Sequence, residues 1–533
     1  MKINKNLFFL TLIILFGLGL RLLYFDAVTF GYDQARDALQ SISIIKNMHP
    51  KIIGPTTDIR GLFHSPLYWY IISPFYYFSG GNPEIARIPM IFINILNVIF
   101  IYFIGRKLFK NEKIALLSSL LMAASFEAVQ YARWLSNPPP ALLTTAIFFY
   151  GFWLVFKKKP PGLPLMLFIW GFSVDFQFFL VYQAAFLVGA FLYLLIKQRG
   201  TLIQSFKRLY LFYIASLIPW IFYIASEIKF KFQGTRALLG FMTKPGDGSN
   251  PSLFPKLINF MNSIIRNVAV NITGGNKEIA FYLLLTFAVY VIYLILTNKK
   301  YRGIILFLLM WLLSPLILYP LEKNYSYFLN IGNLYPLILL TVMILLDFTS
   351  RFKKFERYII IASIAIILYN NINMIVTENK KGETLFSLQY GQVLTDEKKV
   401  IDYTYIQSNK KLFSFNTLTN PLFINTTWTY LYNWYGKKKY GYMPIWEGAY
   451  LDDFGKEIQF INASLLKEGM PHYLIFEPTI FHDDYFKTYS RYENKRSDLL
   501  KVEKFGTHIV ESRRIHTIIH FFRDDISKHL QDH

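Results

Sequence analysis

The sequence predicts an all-α polytopic membrane protein with about eleven transmembrane helices, followed by a small C-terminal α/β domain. Hydrophobic residues make up 53% of its 533 residues and the mean hydropathy is +0.31, which is too apolar for an ordinary soluble protein. Apolar runs close to the roughly 20 residues that span a bilayer recur from Leu7 to about Tyr369. No such run follows Glu378, so we expect a membrane domain over residues 1–376 and a separate domain over residues 377–533.

The net charge of +22 is carried by the membrane part of the chain. From Thr377 onward there are 21 Lys and Arg residues against 20 Asp and Glu residues, so this tail is nearly neutral. The excess sits in short loops between apolar runs, which is typical of cytoplasmic loops and not of a nucleic-acid face. We therefore exclude a nucleic-acid partner. The chain has no cysteine, which rules out disulfides and thiolate metal ligands.

The basic clusters fall in every second loop, and assigning them to the cytoplasm sets the orientation. The N-terminus is then cytoplasmic and the C-terminal domain extracytoplasmic. The spans that satisfy this assignment lie near residues 6–24, 85–105, 114–131, 139–156, 162–179, 181–196, 207–226, 279–297, 303–319, 331–347 and 358–375.

One aromatic stretch, residues 65–79, is not counted as a span because it is short and contains Pro66 and Pro74. Tyr and Trp favour the headgroup level of a bilayer, so we predict an interfacial helix near 66–79. A second interfacial helix is predicted near 33–47. Both lie in a first outer loop of about 25–84, and another long outer loop covers about 227–277. In the C-terminal domain, short strands are predicted at 400–406, 411–415 and 472–477.

The segment from Phe30 to Ala38 is the strongest candidate for chemistry. Asp33, Arg36 and Asp37 are spaced i, i+3, i+4, so on a helix they share one face just outside the first span. Arg36 can then pair with one aspartate while a carboxylate faces a cavity at the membrane edge. The alternative is a helix cap with surface salt bridges on an interfacial helix.

Further polar residues lie at the outer ends of other spans, at a similar predicted depth. They include His64, Tyr68, Glu84, Arg87, Arg133, Asn137, Asp175, Gln177, Glu322, Lys323 and Tyr325. Convergence of these groups would give a site with carboxylates and cations below an apolar entrance, which suits a lipid phosphate. Caps, interfacial anchors and snorkelling side chains are the structural alternatives.

The joint pattern of these segments resembles the GT-C membrane glycosyltransferases, and specifically the branch with the protein O-mannosyltransferases and the lipid A aminoarabinose transferase. The segments are Gly31-Tyr-Asp-Gln-Ala-Arg-Asp-Ala38, Ser65-Pro-Leu-Tyr-Trp-Tyr70, Arg87-Ile-Pro-Met90, Ile104-Gly-Arg-Lys-Leu-Phe109, Tyr325-Ser-Tyr-Phe328 and Tyr335-Pro336. The resemblance implies transfer of a sugar from a polyprenyl-phosphate donor to a lipid, glycan or protein acceptor outside the cell membrane.

Within that resemblance, Asp33 matches the aspartate that the family requires in the first outer loop. Many members have Glu at the next position and Asp where this chain has Asn137. Here Gln34 replaces the Glu, so any second acidic role falls to Asp37.

The chemistry of a phospho-sugar assigns the remaining roles. Asp33 and Asp37 are the expected catalytic carboxylates, with Asp33 as the base in an inverting displacement. Arg87, Arg133 and Lys323 are expected to hold the donor phosphate. The expected substrate contacts are Arg36, His64, Tyr68, Glu84, Asn137 and Tyr325. A divalent ion such as Mg²⁺ or Mn²⁺ would suit Asp33 and Asp37, but two carboxylates alone do not define a metal site.

Two other classes of function remain open at this point. A transporter or lipid flippase also needs many helices, but it predicts charges near the membrane midplane and often repeated halves. The predicted spans here are almost free of charge. A scaffold that displays the C-terminal domain would leave the acidic and basic residues of the first outer loop without a role.

Overall fold

The structure is a computed structural model that describes residues 5–57, 59–243, 253–318, 330–386, 389–422, 424–448, 454, 458–478 and 483–518. The predicted residues Lys323 and Tyr325 lie outside these ranges. The helices of the membrane part are α1 (Lys5–Leu22), α2 (Tyr32–Lys46), α3 (Leu67–Phe78), α4 (Pro83–Ala86), α5 (Ile88–Phe109), α6 (Glu112–Ala124), α7 (Phe126–Arg133), α8 (Ala141–Phe156), α9 (Gly162–Phe176), α10 (Gln183–Lys197), α11 (Arg199–Ala215), α12 (Ile221–Lys229), α13 (Gln233–Thr243), α14 (Leu253–Asn271), α15 (Lys277–Thr297), α16 (Arg302–Leu313), α17 (Leu334–Thr349) and α18 (Glu356–Asn379).

Helix length and composition support fewer spans than the sequence predicts. Within the described ranges, six helical stretches are long and apolar enough to cross a membrane: Lys5–Leu22, Pro83–Phe109, Phe178–Lys197, Arg199–Lys229, Lys277–Thr297 and Glu356–Asn379. Helices α6 and α7 pass the same test only together, with a bend of 51° between them. Four other helical stretches are apolar but shorter than this test requires: Ala141–Phe156, Gly162–Phe176, Arg302–Ile317 and Leu334–Thr349.

The membrane helices pack around one large apolar core. Trp311 of α16 lies between two aromatic rings, at centroid distances of 4.9 Å from Phe149 and 5.8 Å from Tyr335. The buried Arg21 of α1 donates from Nε to Asn94 Oδ1 at 2.7 Å and from Nη1 to the Ala123 carbonyl at 2.9 Å. This arginine therefore joins three helices, because backbone and amide oxygens replace the water that its charge would need.

The first outer loop contains the two predicted interfacial helices. Helix α2 covers the prediction near 33–47, and α3 covers the one near 66–79. With 12 residues α3 is too short to cross a bilayer. The Ser73 hydroxyl of α3 donates to the Ser41 carbonyl of α2 at 2.6 Å, so the two helices pack directly against each other. The predicted outer loop at 227–277 contains α13 and α14.

The C-terminal part is a small α/β unit. Its helices are α19 (Leu394–Gln407), α20 (Thr426–Leu431), α21 (Lys437–Tyr440) and α22 (Asp483–Glu493), and its strands are β1 (Ser414–Leu418), β2 (Ile445–Trp446), β3 (Pro471–Phe476), β4 (Ser497–Phe505) and β5 (His508–Ile515). The sheet order is β2-β1-β3-β5-β4. Strand β1 pairs in parallel with β2 and β3, whereas β5 is antiparallel to β3 and β4.

One strand prediction in this unit is wrong. Residues 400–406 lie in α19, where Val400, Ile401, Thr404 and Tyr405 are buried. Their spacing of i, i+1, i+4, i+5 is a helical face, so the 3.6-residue period outweighs the β-branched composition. The strand predicted at 411–415 begins later, at Ser414, and the strand predicted at 472–477 matches β3.

The C-terminal unit packs directly on the first outer loop. The Phe30 amide donates to the Gln392 carbonyl at 3.0 Å, and the Leu394 amide donates to the Val28 carbonyl at 2.9 Å. Lys398 forms an ion pair with Glu84. These contacts hold the start of α2 against α19 and its preceding turn.

Candidate active site

The three charged residues predicted to share one face of α2, Asp33, Arg36 and Asp37, contact one another in the structure. Arg36 Nη1 lies 2.7 Å from Asp33 Oδ1, and Arg36 Nη2 lies 2.9 Å from Asp37 Oδ1. The exposed fraction of the side chain is 41% for Asp33 but 1% for Asp37. The i, i+3, i+4 spacing thus places all three groups on one helix face, and only the Asp33 carboxylate is open to a ligand.

Asp37 is a buried carboxyl that supports this arrangement. Trp69 of α3 donates its indole N–H to Asp37 Oδ1 at 2.8 Å, and the other oxygen has no hydrogen-bond partner among the described residues. Burial raises the pKa of Asp37, while Arg36 and Trp69 oppose that rise. Although burial disfavours its charge, Arg36 has a raised pKa because Asp37 and Asp33 flank it.

His64 and Tyr68 place two uncharged polar groups near Arg36. Tyr68 is fully buried and His64 is partly buried, and His64 Nδ1 and the Tyr68 hydroxyl have no hydrogen-bond partner within the described part of the chain. Burial, and then the charge of Arg36, lowers the pKa of His64 to about 4. Burial, and then Asp37, raises the pKa of the Tyr68 phenol. Both side chains are therefore uncharged at neutral pH. Each can form a hydrogen bond with an uncharged ligand.

Gln34 has a structural role that an acid would not fulfil. Its Oε1 accepts from the Gly31 amide at 3.0 Å, and its Nε2 donates to the Leu135 carbonyl at 3.2 Å. The second bond needs a donor, which a carboxylate at this position lacks. The amide therefore connects the start of α2 to the segment that follows α7.

The two predicted phosphate-binding arginines have different surroundings. Arg133 donates from Nη1 and Nη2 to the backbone carbonyls of Leu23, Tyr24, Ala27 and Asn379, at 2.6 to 3.1 Å. Arg87 is fully buried and donates only from Nη2, to the Phe25 carbonyl at 2.7 Å. Its Nε and Nη1 have no partner within the described ranges. Arg87 thus has two nitrogens without an acceptor there, whereas Arg133 has one, its Nε, and its other two nitrogens hold the backbone after α1.

Three further predicted residues take part in structural contacts. Asn137 donates to the Phe176 carbonyl at 2.8 Å, at the C-terminal end of α9. Glu84 pairs with Lys398 of the C-terminal unit. The predicted residues Lys323 and Tyr325, together with Glu322, lie outside the described residues.

A metal site at Asp33 and Asp37 does not fit this geometry. Both carboxylates bind the guanidinium of Arg36, which already supplies their positive charge. No group of three or more His, Asp or Glu side chains in the part of the chain that the structure describes is arranged to hold a metal ion.

Sequence reasoning missed Trp69 and the contacts from the C-terminal unit. Trp69 stands beside Tyr68 in an aromatic segment, and nothing in the spacing shows which ring faces Asp37. The hydroxyl of Tyr430 donates to the Gly81 carbonyl, and the ring of Tyr430 packs 5.4 Å from that of Phe30. These partners are separated by about 350 to 400 positions in the chain, so only the fold reveals them.

Comparisons with known proteins agree with the resemblance that the sequence suggests. The family model for dolichyl-phosphate-mannose-protein mannosyltransferases matches residues 63–223. No curated protein sequence matches the chain. ArnT from Cupriavidus metallidurans bound to undecaprenyl phosphate aligns with a TM-score of 0.55 at 11% identity, over 94% of this chain and 97% of that chain. The apo state of the same protein aligns with a TM-score of 0.57 at 11% identity, over 96% and 98% of the two chains. The chain therefore has the ArnT fold and is an integral membrane protein.

Proposed function

We propose that this protein, a membrane chain with the ArnT fold, transfers a sugar from a polyprenyl-phosphate donor to an acceptor at the outer face of the membrane. The fold, and the family model over residues 63–223, support the glycosyltransferase class. The ArnT structure that matches this chain binds undecaprenyl phosphate, which supports a lipid-linked donor of that kind. The acceptor is a lipid, a glycan or a protein.

The observation that carries this proposal is the pairing of Asp33 with Arg36 and Asp37. Asp33 is the most exposed of the three side chains, at 41%, and Arg36 fixes its position. A carboxylate held in this way can accept the proton of an incoming hydroxyl group. Because Asp37 is buried and bonded to Trp69, we assign it to positioning Arg36 and not to contact with substrate.

Arg87 is the best candidate to bind the donor phosphate. Its Nε and Nη1 have no acceptor among the described residues, and it lies at the outer end of the apolar helix α5. A polyprenyl phosphate places its anion at the boundary between lipid and water. Two guanidinium N–H groups at that level suit a phosphate, to which arginine binds with paired hydrogen bonds.

The proposed reaction is a single displacement at the anomeric carbon. The acceptor oxygen forms a bond to that carbon while the bond from the carbon to the phosphate oxygen breaks. The hydroxyl proton passes to Asp33, and polyprenyl phosphate leaves with the electron pair. Arg87 stabilises the negative charge that grows on the phosphate. One displacement inverts the configuration at the anomeric carbon.

The orientation of the chain is part of the same proposal. The six long stretches, the bent pair and the four shorter apolar stretches correspond one to one with the spans predicted from the sequence. Eleven crossings would place a cytoplasmic N-terminus and the C-terminal unit on opposite sides of the membrane. The first outer loop, which carries Asp33 and packs against the C-terminal unit, then lies outside with it.

The test is sugar transfer by the full chain in nanodiscs. Undecaprenyl phosphate carrying mannose, glucose or galactose is supplied with envelope extracts as acceptor, and release of undecaprenyl phosphate is measured. We expect turnover with at least one donor, lost in Asp33→Asn and kept in Asp498→Asn, which changes a 71%-exposed aspartate. Equal turnover by Asp33→Asn would overturn the assignment of the base. No turnover with any donor would count against the enzyme and favour lipid transport.

A further inference from the structure

Asp175 is a buried carboxyl that the proposed reaction does not use. It lies at the outer end of α9, next to the last residue of that apolar helix, and is 1% exposed. Neither of its oxygens has a hydrogen-bond partner of good geometry within the described residues. An aspartate that stabilises a turn accepts bonds from nearby backbone amides, and Asp175 accepts none of good geometry within the described residues.

The groups beside Asp175 are polar but uncharged. The Ser65 hydroxyl is close enough to interact with its carboxyl, and the phenol of Tyr223 is close enough to be affected by its charge. Tyr223 itself donates to the Val174 carbonyl at 3.3 Å. Among the described residues, no Lys, Arg or His donates a hydrogen bond to either carboxyl oxygen of Asp175. Within that part of the chain, the carboxyl therefore lacks the charged donors that usually accompany a buried acid.

A buried carboxyl without partners lowers the stability of the free protein. Most buried polar groups have partners, and residues that bind a ligand are the common exception. Ser65 and Tyr223 also line a cavity of about 20 Å³, and His64 is part of its wall. A space of this size admits one water-sized group. It can therefore take a single hydroxyl of a larger molecule, next to Ser65 and Tyr223, which are the two neighbours of the buried Asp175 carboxyl.

The position of Asp175 indicates which molecule that is. A sugar linked to a membrane lipid lies at the outer end of the apolar helices, where α9 ends. His64, on the cavity wall, is also close enough to Arg36 to be affected by its charge. His64 thus lies between the cavity and Arg36, which fixes Asp33. An acceptor approaches Asp33 from the exposed side.

We propose that Asp175 is a sugar-binding residue that accepts a hydrogen bond from a hydroxyl of the lipid-linked donor sugar, with Ser65 and Tyr223 beside it. This inference rests on the proposed function. It assigns Asp175 to recognition of the sugar and leaves the phosphate to Arg87.

The experiment compares undecaprenyl phosphate with its sugar-bearing forms on the same protein. Binding of undecaprenyl phosphate, and of undecaprenyl phosphate carrying mannose, glucose or galactose, is measured for the full chain in nanodiscs, together with the apparent melting temperature. The variants are Asp175→Asn and Ser65→Ala, with Glu278→Gln as a control that removes an exposed carboxylate at the start of α15.

We expect the wild type to bind one of the sugar lipids more tightly than undecaprenyl phosphate. Asp175→Asn should weaken binding of that sugar lipid by ~10-fold, as expected for loss of a hydrogen bond to the buried carboxyl. It should leave binding of undecaprenyl phosphate within about 2-fold and should not lower the melting temperature, because the amide has the shape of the carboxyl and the carboxyl has no hydrogen bond of good geometry among the described residues. Ser65→Ala should have a smaller effect of the same kind, and Glu278→Gln none.

Three results would overturn the inference. If Asp175→Asn lowers the melting temperature and weakens binding of undecaprenyl phosphate as much as binding of the sugar lipid, Asp175 has a structural role. If the wild type binds undecaprenyl phosphate but gains nothing from any of the sugars, the sugar subsite is wrong while the phosphate site stands. If the wild type binds neither lipid, the proposed function fails, and this inference fails with it.

Discussion

The indole N–H of Trp69 lies 2.8 Å from Asp37 Oδ1, and this bond joins the two helices of the first outer loop at the candidate site. Asp37 Oδ1 accepts from both Trp69 and Arg36, and Arg36 in turn holds Asp33. The position of the exposed carboxylate therefore depends on an aromatic residue 36 positions further along the chain.

Replacing Trp69 with phenylalanine should loosen this arrangement. The variant keeps a ring but loses a hydrogen bond to a buried charged group, which is worth about 1.5–3 kcal/mol. We expect a lower melting temperature and reduced sugar transfer by the full chain. The control is Trp170→Phe, because the indole nitrogen of Trp170 has no partner among the described residues. Equal effects of the two substitutions would show that ring size, and not the bond to Asp37, matters.

The two buried arginines should separate phosphate binding from stability. Arg87→Gln removes donors that have no acceptor within the described ranges, so we expect ~10- to 100-fold weaker binding of undecaprenyl phosphate. Arg133→Gln leaves backbone carbonyls without donors, so we expect a loss of stability of roughly 3 kcal/mol. Both properties are measured for both variants in detergent. The assignment of the phosphate to Arg87 is wrong if its variant binds the lipid normally.

A methyl group at Gly31 should disturb the junction between α2 and the C-terminal unit. A Cβ there would lie 2.0 Å from Gln389 Oε1 and 2.4 Å from Gln392 Oε1, although the backbone φ of −120° suits any residue. We expect Gly31→Ala to lower sugar transfer modestly, because the ends of the Gln389 and Gln392 side chains must move away from the new methyl group. Adding Gln389→Ala and Gln392→Ala should restore much of it. Gly19→Ala, with no atom within 4 Å of the new methyl group, is the control.

The C-terminal unit contains a buried ion cluster around His472. Its Nδ1 lies 3.1 Å from Glu447 Oε1 and its Nε2 lies 3.3 Å from Glu493 Oε2. Arg496 binds both glutamates. Burial opposes the charge of His472, but Glu493 and Glu447 outweigh it and raise the pKa of the imidazole. Two carboxylates, one arginine and one imidazolium give a neutral cluster.

This cluster makes the stability of the C-terminal unit depend on pH. A raised histidine pKa contributes stability that is complete below the unfolded value near 6.5 and is lost as pH rises through the folded pKa. We therefore expect the difference in unfolding free energy between the wild type and His472→Gln to be largest below about pH 6.5 and to shrink at higher pH. Tryptophan fluorescence of the full chain during urea unfolding measures it. A difference that does not change between pH 6 and pH 9 would show that His472 is neutral.

Local patterns in the sequence were enough for much of this structure. Apolar runs identify the membrane part, because a bilayer selects length and hydropathy directly. The i, i+3, i+4 spacing of Asp33, Arg36 and Asp37 fixed their common face before any contact was known. Helix α19 is the exception, since its buried β-branched and aromatic residues suggested a strand while their spacing was helical.

The sequence by itself determined that this is a membrane protein, which face of α2 carries the charged groups, and which family it resembles. Only the tertiary structure decided that Nε and Nη1 of Arg87 have no acceptor among the described residues while Nη1 and Nη2 of Arg133 bind backbone carbonyls, and that Asp37 is bonded to Trp69. The same holds for Asp175, whose neighbours Ser65 and Tyr223 lie 110 positions before it and 48 after it. Periodicity depends on backbone geometry within a few turns, whereas the partner of a buried polar group depends on which distant segments the fold brings together.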